Sequence, residues 1–415
     1  MSVVGLITEY NPFHKGHEYH IRKAKEMTNS ENAIVVMSGN FVQRGTPAFM
    51  DKYTRTSIAL NHGADLVLEL PIPFSCSSAE YFALAAVSIL EKTGIVDYIC
   101  FGAEIDDLSL LEKIAKLLVD SKNDSTHHLN EIIKKHLKTG VSYALARALS
   151  ICEYFNDETV TEIINKPNNI LAIEYLKALT LLNSKIKPVV LKRTNASYHH
   201  DASNDYMYSA SSLRNIIKTD EGLTTLWEFD NTYKTSYNVN YPINEQDFNN
   251  ILAEKLIYNI CNDIDLSIYN NIDEQLANRI LKIYKSEGFK GWNDFAMSLK
   301  NKNIAYTAIS RGLLSILLNI KKTDFKDYLN NNICNFLRIL GFKSTSSHLL
   351  NEIKNKGVVT TYGQLSELND TTYISNTDLK LINNSIYADE VYNSATGLKF
   401  NSAISNEYKR KIIVI

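Results

Sequence analysis

The amino-acid sequence predicts an α/β fold, in which a five-stranded parallel sheet is followed by a mainly α-helical domain. In about the first 220 residues, short apolar runs alternate with longer segments of helical period. Strands separated by helices in this way form βαβ units, whose strands are parallel. Beyond about residue 220 the helical period dominates. We therefore predict one domain over residues 1–220, with a helical insertion at about 124–182, and a second over residues 221–415.

Five apolar runs are predicted as buried strands, because each is short, rich in β-branched residues and bounded by polar or turn-forming residues. In chain order they are Ser2–Ile7, Ala33–Met37, Asp65–Leu70, Tyr98–Phe101 and Lys187–Arg193. One helical segment separates each of the first four from the next. The fifth follows a longer helical stretch, which is the predicted insertion.

Helices are predicted where apolar residues recur every three to four positions. In the first half these segments are Gly16–Met27, Asp51–His62, Ser78–Lys92, Asp107–Val119, two helices within Thr126–Cys152, Asn168–Leu182 and Ser209–Lys218. In the second half the clearest are Phe248–Cys261, Ile272–Tyr284 and Ile304–Ile320.

Composition excludes several classes of protein. A hydrophobic fraction of 45% with 22% charged residues is ordinary for a globular chain and excludes extensive disorder. The chain contains no apolar run of the roughly 20 residues that span a bilayer, and no signal peptide is visible. Five scattered cysteines without a CxxC pair argue against a disulfide framework or a cysteine-built zinc site. We expect a cytoplasmic protein.

Charge limits how nucleic acid could bind. The chain has 44 basic and 46 acidic residues, for a formal net charge of -2. This balance lacks the basic excess of a nonspecific nucleic-acid binder, so any RNA must be bound by local patches. Lys321-Lys322, Lys354–Lys356 and Lys409–Lys411 are candidates, although each cluster is more simply explained as ordinary solvated surface.

The segment Thr8–His17 (TEYNPFHKGH) joins the first predicted strand to the first predicted helix. In open parallel sheets, ligands bind beyond the carboxyl ends of the strands, where the strand order reverses. A helix start at that position offers backbone N–H donors and partial positive charge to a phosphate. Gly16 allows close approach of a phosphate, and His14 and His17 could donate hydrogen bonds to charge developing on a phosphoryl group.

Two alternatives remain for these histidines. His14 with His17, or His17 with His20, could form a metal pair, but neither a thiolate nor a strong third ligand is evident nearby, and we predict no metal site. A purely structural role for both histidines is as compatible with the spacing as a metal pair is. GxGxxG and GxxxxGK[ST] motifs are both missing from the chain, which disfavours a dinucleotide site and a P-loop.

A second segment, Ser209–Arg214 (SASSLR), follows the fifth predicted strand. Its hydroxyls, its helix start and the fixed charge of Arg214 suit a triphosphate, although a serine-rich helix start can simply be an N-cap. With the HxGH pattern after the first strand, this element resembles the nucleotidyltransferase and class I aminoacyl-tRNA synthetase superfamily, whose sheet domain is Rossmann-like. The resemblance implies ATP binding, attack at the α-phosphate and release of pyrophosphate.

Four longer segments are similar to bacterial tRNA(Met) cytidine acetate ligases: Gly5–His20, Met37–Ala48, Asp65–Pro71 and Lys166–Leu179. The resemblance is strong over about the first 220 residues and weaker in the helical half, where tRNA contacts are expected. It implies an enzyme that activates acetate with ATP, accompanied by Mg²⁺ on the triphosphate, as acetyl-adenylate. It further implies acetylation of the exocyclic amine of the wobble cytidine in elongator tRNA(Met). Neither a membrane nor a protein partner is implied.

The resemblance also implies site residues. His14, His17 and Arg214 would be catalytic. ATP would be held by Ile7, Thr8, Glu9, Tyr10, Asn11, Pro12, Phe13, His14, Lys15, Gly16, His17, Glu18, Tyr19, His20, Gly102, Asn168, Arg193 and Thr194. Gly102 could instead be an ordinary turn glycine and Asn168 a helix cap.

Acetate is assigned to the loop Ser38–Gly45, whose polar side chains Asn40, Gln43 and Arg44 could orient a small carboxylate beside the α-phosphate, supported by Asp51-Lys52. The alternative is a well-packed loop. Two other functions remain open from the sequence: a small-molecule adenylyltransferase of the same superfamily, or a non-catalytic tRNA-binding protein on a nucleotide-binding fold. The nearly 200 additional helical residues weigh against the first, and the intact histidine motif weighs against the second.

Overall fold

The computed structural model describes residues 2–141, 143–157, 159–193, 213–214, 220–236, 239–302, 304–361 and 374–415. Within these ranges, eight strands form one sheet and two short strands form a separate hairpin. The sheet strands are β1 Val3–Thr8, β2 Asn32–Ser38, β5 Leu66–Leu70, β6 Tyr98–Ala103, β7 Lys187–Lys192, β8 Phe336–Phe342, β9 Val359–Thr361 and β10 Ile413–Val414. The hairpin strands are β3 Phe41–Val42 and β4 Thr46–Pro47.

The sheet has the order β10-β8-β5-β2-β1-β6-β7, with β9 also paired to β8. The five strands from β5 to β7 are mutually parallel, and β8 alone runs antiparallel to its neighbour β5. From β1 the chain builds outward to β2 and β5 on one side and later to β6 and β7 on the other. The strand order therefore reverses between β1 and β6, and the carboxyl ends of these strands define the crevice where ligands bind in such sheets.

Successive side chains of β1 point to opposite faces of the sheet, and both faces are covered. Val4 and Leu6 belong to one core cluster, and Val3 packs in another. A third cluster lies among helices of the second half and includes the fully buried Trp292. A strand buried on both faces reads as a continuous apolar run, which explains why these strands were recognisable in the sequence.

The helices cover the sheet and build the second half. They are α1 Lys15–Thr28, α2 Lys52–Asn61, α3 Ile72–Ser75, α4 Ala79–Thr93, α5 Leu108–Asn123, α6 His128–Leu137, α7 Tyr143–Phe155, α8 Thr159–Ile164, α9 Pro167–Leu181, α10 Asp220–Phe229, α11 Asn231–Ser236, α12 Asn249–Cys261, α13 Glu274–Glu287, α14 Trp292–Leu299, α15 Tyr306–Leu317, α16 Lys322–Asn330, α17 His348–Asn355 and α18 Asn376–Phe400. Among the described residues, every helix is too short or too polar to serve as a membrane span.

All five predicted strands are present, but the prediction of five strands for the whole sheet is wrong. The second half, predicted as mainly helical, also supplies β8, β9 and β10. The partner of β8 is β5, about 270 residues earlier, and a pairing between such distant segments leaves no local pattern in the sequence. Most of the predicted helix Ser209–Lys218 lies outside the described residues. The domain division near residue 220 stays a proposal.

A buried cluster of five charged side chains joins the two halves of the chain. The Lys52 ammonium lies 2.9 Å from Glu69, 2.5 Å from Asp389 and 3.0 Å from Glu407. The Arg338 guanidinium, on β8, contacts the same three carboxylates at 2.5–3.3 Å. Lys52 and Glu69 belong to the first half, whereas the other three residues come from the second. We call this set the charge cluster.

Candidate functional site

The turn between β1 and α1 lies at the centre of the sheet, at the reversal of strand order. His14 is the N-cap residue of α1, and its Nδ1 atom accepts a hydrogen bond from the Gly16 amide at 3.0 Å. A Cβ atom on Gly16 would lie 2.9 Å from Cε1 of His14, so glycine is needed for the imidazole to fold back over the turn. Since Nδ1 is the acceptor in this bond, the proton of the neutral ring is on Nε2.

His17 lies against His14. The two imidazoles are stacked, with ring centroids 3.8 Å apart and planes inclined by 25°. Tyr10 and Phe13 contact the His17 ring at centroid distances of 4.9 Å and 5.5 Å. Nδ1 of His17 is buried without a hydrogen-bond partner among the described residues. The arrangement therefore holds a polar group ready for a ligand.

Burial and nearby arginines keep these histidines neutral. Burial, followed by the positive charges of Arg193 and Arg214, lowers the pKa of His14 to about 4. Burial and then His14, His20 and Arg193 lower the pKa of His17. Burial and Arg193 lower the pKa of His20 to about 4. Near pH 7 the site therefore presents uncharged imidazoles beside fixed arginine charges.

The carboxyl ends of β6 and β7 form the next part of this edge of the sheet. Arg193 directly follows β7, and its backbone amide donates to the Ala103 carbonyl at 2.6 Å. A Cβ atom on Gly102 would lie 3.1 Å from Cγ and Cδ of Arg193. Glycine here therefore lets the arginine side chain pass over the end of β6. The predicted residue Thr194 lies outside the described residues.

Asn168 is in the first turn of α9, close to the end of β6. Its side-chain Nδ2 donates to the Glu104 carboxylate at 2.7 Å, and the amide of Asn169 donates to the same carboxylate at 2.8 Å. The Glu104 carboxylate thus accepts hydrogen bonds from the start of α9. In return, the Asn169 side chain accepts a hydrogen bond from the Glu104 amide at 2.8 Å. Asn168 therefore does not itself cap the helix, but it is held at the edge of the crevice.

Arg214 reaches the same turn from a distant part of the chain. Its Nη1 atom donates to the carbonyl of Asn11, which precedes a cis peptide bond to Pro12. Burial and the charge of Arg44 lower the pKa of Arg214. The structure therefore brings together His14, His17, Arg193 and Arg214, as the sequence predicts. Ser209–Ser212 lie outside the described residues.

The three predicted acetate residues lie in different surroundings. Asn40 is 3% exposed, its Nδ2 donates to Asp389 at 2.9 Å, and its Oδ1 accepts from the Lys52 amide at 2.8 Å. This places Asn40 in the interior as a structural residue, contrary to the prediction of a ligand contact. The Gln43 amide donates to Glu9 at 2.8 Å. Arg44 is exposed and lines a cavity with Arg214.

That cavity has a volume of about 510 Å³ and lies between the β1–α1 turn, the β3–β4 hairpin and the second half of the chain. Its lining residues include Glu9, Asn11, Arg44, Phe49, Arg214, Glu245, Asn293 and Tyr306. We call it the hairpin cavity. Sequence reasoning missed the last three residues, because they lie in no recognisable motif and reach the cavity only through the tertiary fold. Within the described ranges, His, Cys, Asp and Glu side chains form no group of three or more that could hold a metal ion.

Arg55 is a further residue that sequence reasoning missed. It is fully buried on α2 and donates to the backbone carbonyls of Glu9 at 2.6 Å and Ser38 at 3.0 Å, and to those of Gly39 and Met50. These bonds fix the carboxyl ends of β1 and β2 relative to each other. An arginine on an amphipathic helix is normally expected at the surface. The burial of Arg55 could therefore not be predicted from the sequence.

Comparison with known proteins agrees with this geometry. A family model described as HIGH Nucleotidyl Transferase matches residues 1–407. The tRNA(Met) cytidine acetate ligase of Clostridium novyi (strain NT) is 37% identical over 403 residues, which cover 95% of this chain and 96% of the relative. The enzyme of the same name from Thermoanaerobacter sp. (strain X514) is 37% identical over 402 residues, with the same coverage of 95% and 96%.

Two crystal structures of Thermotoga maritima TmcAL superpose over the full length of both chains. One contains alpha-thio ATP and has a TM-score of 0.87 at 26% identity. The other is an apo form, with a TM-score of 0.89 at 27% identity. Sequence, fold and site geometry agree, and this chain belongs to the tRNA(Met) cytidine acetate ligases, a family of enzymes within the HIGH nucleotidyltransferases.

Proposed function

We propose that this protein is an ATP-dependent ligase that activates acetate as acetyl-adenylate and acetylates the exocyclic amine of the wobble cytidine in elongator tRNA(Met). The observation that carries the proposal is the stacked pair of neutral imidazoles, His14 and His17, at the start of α1. The pair lies at the reversal of strand order, where open parallel sheets bind their ligands. The names of the relatives and the nucleotide bound by TmcAL support the same assignment.

In the first step, an acetate oxygen attacks the α-phosphorus of ATP, and the bond from that phosphorus to the bridging oxygen of pyrophosphate breaks. Acetate is already ionised near neutral pH, so this step needs alignment and charge stabilisation rather than a general base. A neutral His14 with its proton on Nε2 donates a hydrogen bond to an α-phosphate oxygen. His17 donates beside it, and Arg193 and Arg214 offset the negative charge of the phosphates.

In the second step, the cytidine amine nitrogen attacks the carbonyl carbon of acetyl-adenylate. The carbon–oxygen bond to AMP breaks, and the nitrogen loses one proton. The amine is a weak nucleophile because its lone pair is delocalised into the ring, so positioning supplies much of the rate. A wobble base reaches such a site only when it is splayed out of the anticodon loop.

The residues for ATP are those around the turn, with Gly102, Asn168 and Thr194 at the neighbouring strand ends. Mg²⁺ ordinarily accompanies a nucleoside triphosphate and is bound largely by phosphates and water. Among the described residues, no group of three or more His, Cys, Asp or Glu side chains could hold a metal ion, and we assign Mg²⁺ to the triphosphate rather than to a protein cage. Acetate is assigned to the side of the turn that faces Arg44. Asn40 is left out of the acetate site.

The proposal is tested by incubating the protein with ATP, acetate and elongator tRNA(Met) and analysing the nucleosides of the tRNA by mass spectrometry. We expect N4-acetylcytidine at the wobble position, in an amount equal to the AMP released. Each omission, of ATP, acetate or protein, serves as a control and should abolish the product. AMP release that does not depend on acetate, with unmodified tRNA, would contradict the proposal and favour a nucleotide-binding protein without ligase activity.

A further inference from the structure

The hairpin cavity is adjacent to the nucleotide turn and shares Arg214 with the residues assigned to the phosphates, but most of its lining lies outside the residues assigned to ATP. Of its lining residues only Glu9 and Asn11 belong to the predicted ATP set, and both are in the turn itself. The remaining lining comes from the hairpin, from Phe49 just after it, from Arg214, and from the second half of the chain. A volume of about 510 Å³ is in the range of small-molecule pockets and larger than a single acetate needs.

The charges that line the cavity balance each other. Arg44 and Arg214 contribute two positive charges, and Glu9 and Glu245 contribute two negative ones. A polyphosphate would meet two carboxylates here, which disfavours it. The lining also contains apolar side chains, including Phe49. A cavity that combines balanced charge, apolar surface and a few polar groups suits a neutral, planar heterocycle rather than a polyanion.

The side of the cavity formed by the second half carries groups that recognise nucleobases. The Tyr306 hydroxyl donates to Oδ1 of Asn293 at 2.9 Å, which fixes the position of the aromatic ring. Glu245 begins a short 3₁₀ helix, Glu245–Phe248, that is closed by a capping box between Asn244 and Asp247. Its carboxylate is therefore held on an ordered segment. An aromatic face stacks on a base, and a carboxylate accepts a hydrogen bond from the exocyclic amine of cytosine.

We infer that the hairpin cavity receives the base of the acceptor cytidine, splayed out of the tRNA anticodon loop, with Tyr306 as the stacking surface and Glu245 as the acceptor for the amine. This inference rests on the proposed function and adds the place where the second substrate binds. Arg214 lines the cavity and also donates to the Asn11 carbonyl in the turn that carries His14. A base bound in the cavity is therefore adjacent to the activated acetate.

The first test compares the two steps of the reaction in Tyr306→Leu and Glu245→Ala. Acetate-dependent exchange of labelled pyrophosphate into ATP reports the first step, and transfer of labelled acetate to elongator tRNA(Met) reports both. Loss of a base–aromatic contact should lower transfer by roughly 5- to 150-fold. We expect the ratio of transfer to exchange to fall by about 10-fold or more in each variant, with a higher KM for tRNA.

Tyr258→Leu and Glu254→Ala are the matched controls, since both side chains are exposed on α12 and neither lines the cavity. Their ratio of acetate transfer to pyrophosphate exchange should equal that of the wild type. Equal losses of exchange and transfer in the cavity variants would overturn the inference and assign the cavity to the first step. Ratios indistinguishable from the controls would also overturn it.

The second test does not depend on catalysis. Elongator tRNA(Met) carrying 5-iodocytidine at the wobble position is bound to the wild-type protein and irradiated, and the cross-linked peptide is identified by mass spectrometry. We expect a cross-link to Tyr306 or Phe49. A cross-link confined to residues outside the cavity would overturn the inference. If the cross-link is found while the tRNA is never acetylated, the proposed function fails and the inferred base site stands.

Discussion

The contact between His14 and His17 is unusual because two imidazoles 3.8 Å apart repel each other when both are charged. Burial and the neighbouring arginines avoid that repulsion by lowering the pKa of each ring. A neutral imidazole remains a hydrogen-bond donor, so the pair can interact with phosphate oxygens without carrying a net charge. The charge of the site then comes from the arginines, which remain protonated at all physiological pH values.

His17→Ala should therefore slow the first step while the fold survives. Removal of one preorganised donor typically lowers the rate about 100- to 1,000-fold, and we expect a loss of that size in acetate-dependent pyrophosphate exchange. The circular dichroism spectrum should be unchanged. His128→Ala is the matched control, because this histidine is exposed on α6 and far along the chain from the turn. Exchange at the wild-type rate in His17→Ala would refute the assigned role.

The same lowered pKa values make the free protein sensitive to acid. A histidine with a pKa near 6.5 when unfolded and about 4 when folded binds a proton on unfolding between these values. The contribution of His20 to the free energy of unfolding is therefore fully present above pH 6.5 and is lost as the pH falls toward 4. Urea unfolding should show a smaller decrease in stability from pH 7 to pH 5 for His20→Gln than for the wild type.

The control is His128→Gln, which removes an exposed histidine. Its free energy of unfolding should decrease from pH 7 to pH 5 by the same amount as that of the wild type. An identical dependence on pH in His20→Gln and the wild type would contradict the prediction.

At the scale of elements, the β3–β4 hairpin connects the sheet edge to the helical half. Gly45 has a φ of +80° and packs against the backbone of α15, where an added Cβ atom would lie 2.4 Å from the Arg311 nitrogen. Ser310 donates to the Gly45 carbonyl at 3.1 Å. The hairpin is held in this position by backbone packing that no larger residue permits. Since Arg44 precedes Gly45, the same contact fixes one side of the hairpin cavity.

Gly45→Ala should therefore lower the free energy of unfolding by more than the strain of a left-handed backbone alone. Gly140 has nearly the same φ, +82°, but an added Cβ atom there meets nothing within 4 Å among the described residues. Gly140→Ala thus measures the strain of a left-handed alanine, about 1–2 kcal/mol. We expect Gly45→Ala to lose more unfolding free energy than this control and also to lose tRNA acetylation. Equal losses in the two variants would show that the hairpin tolerates displacement.

Elements whose signal is local could be predicted from the sequence. The five strands β1, β2, β5, β6 and β7 are continuous apolar runs, and the turn after β1 carries a recognisable spacing of histidines and glycine. β8 has a similar apolar run, Phe336–Phe342, but its place in the sheet depends on an antiparallel contact with β5. Periodicity reports the type of element and carries no information on which distant element it pairs with.

The candidate site divides in the same way. His14, His17 and Arg214 were predicted because each lies in a motif, whereas Glu245, Asn293 and Tyr306 reach the cavity only through the tertiary fold. Asn40 shows the converse error. A polar residue in a loop at the sheet edge is expected to face a ligand, yet Asn40 is satisfied by Lys52 and Asp389 in the interior. Burial of a polar side chain depends on partners that the sequence does not reveal.

At the scale of the whole molecule, the charge cluster links the sheet to the second half of the chain. Its two cations face three carboxylates, all at most 4% exposed. Burial and the neighbouring carboxylates raise the pKa of Asp389, whereas Lys52 and Arg338 oppose that rise. Buried charges are tolerated only when paired, so each member depends on the others. Separation of the two halves would therefore leave buried charges of the cluster unpaired or expose them to solvent.

Arg338→Met should destabilise both halves together. It removes one of the two cations and leaves Glu69, Asp389 and Glu407 buried around Lys52 alone, and loss of one partner from a buried ion pair costs about 3–5 kcal/mol. Urea unfolding, followed both by tryptophan fluorescence and by circular dichroism, should show a single transition. The free energy of unfolding obtained from it should be lower than that of the wild type by that amount. Lys380→Met is the control, because its ion pair with Asp324 has a lysine side chain that is 51% exposed, and such pairs contribute at most about 1 kcal/mol. If Arg338→Met is no more destabilised than this control, the cluster does not hold the halves together. If fluorescence and circular dichroism separate into two transitions in the wild type, the halves unfold independently.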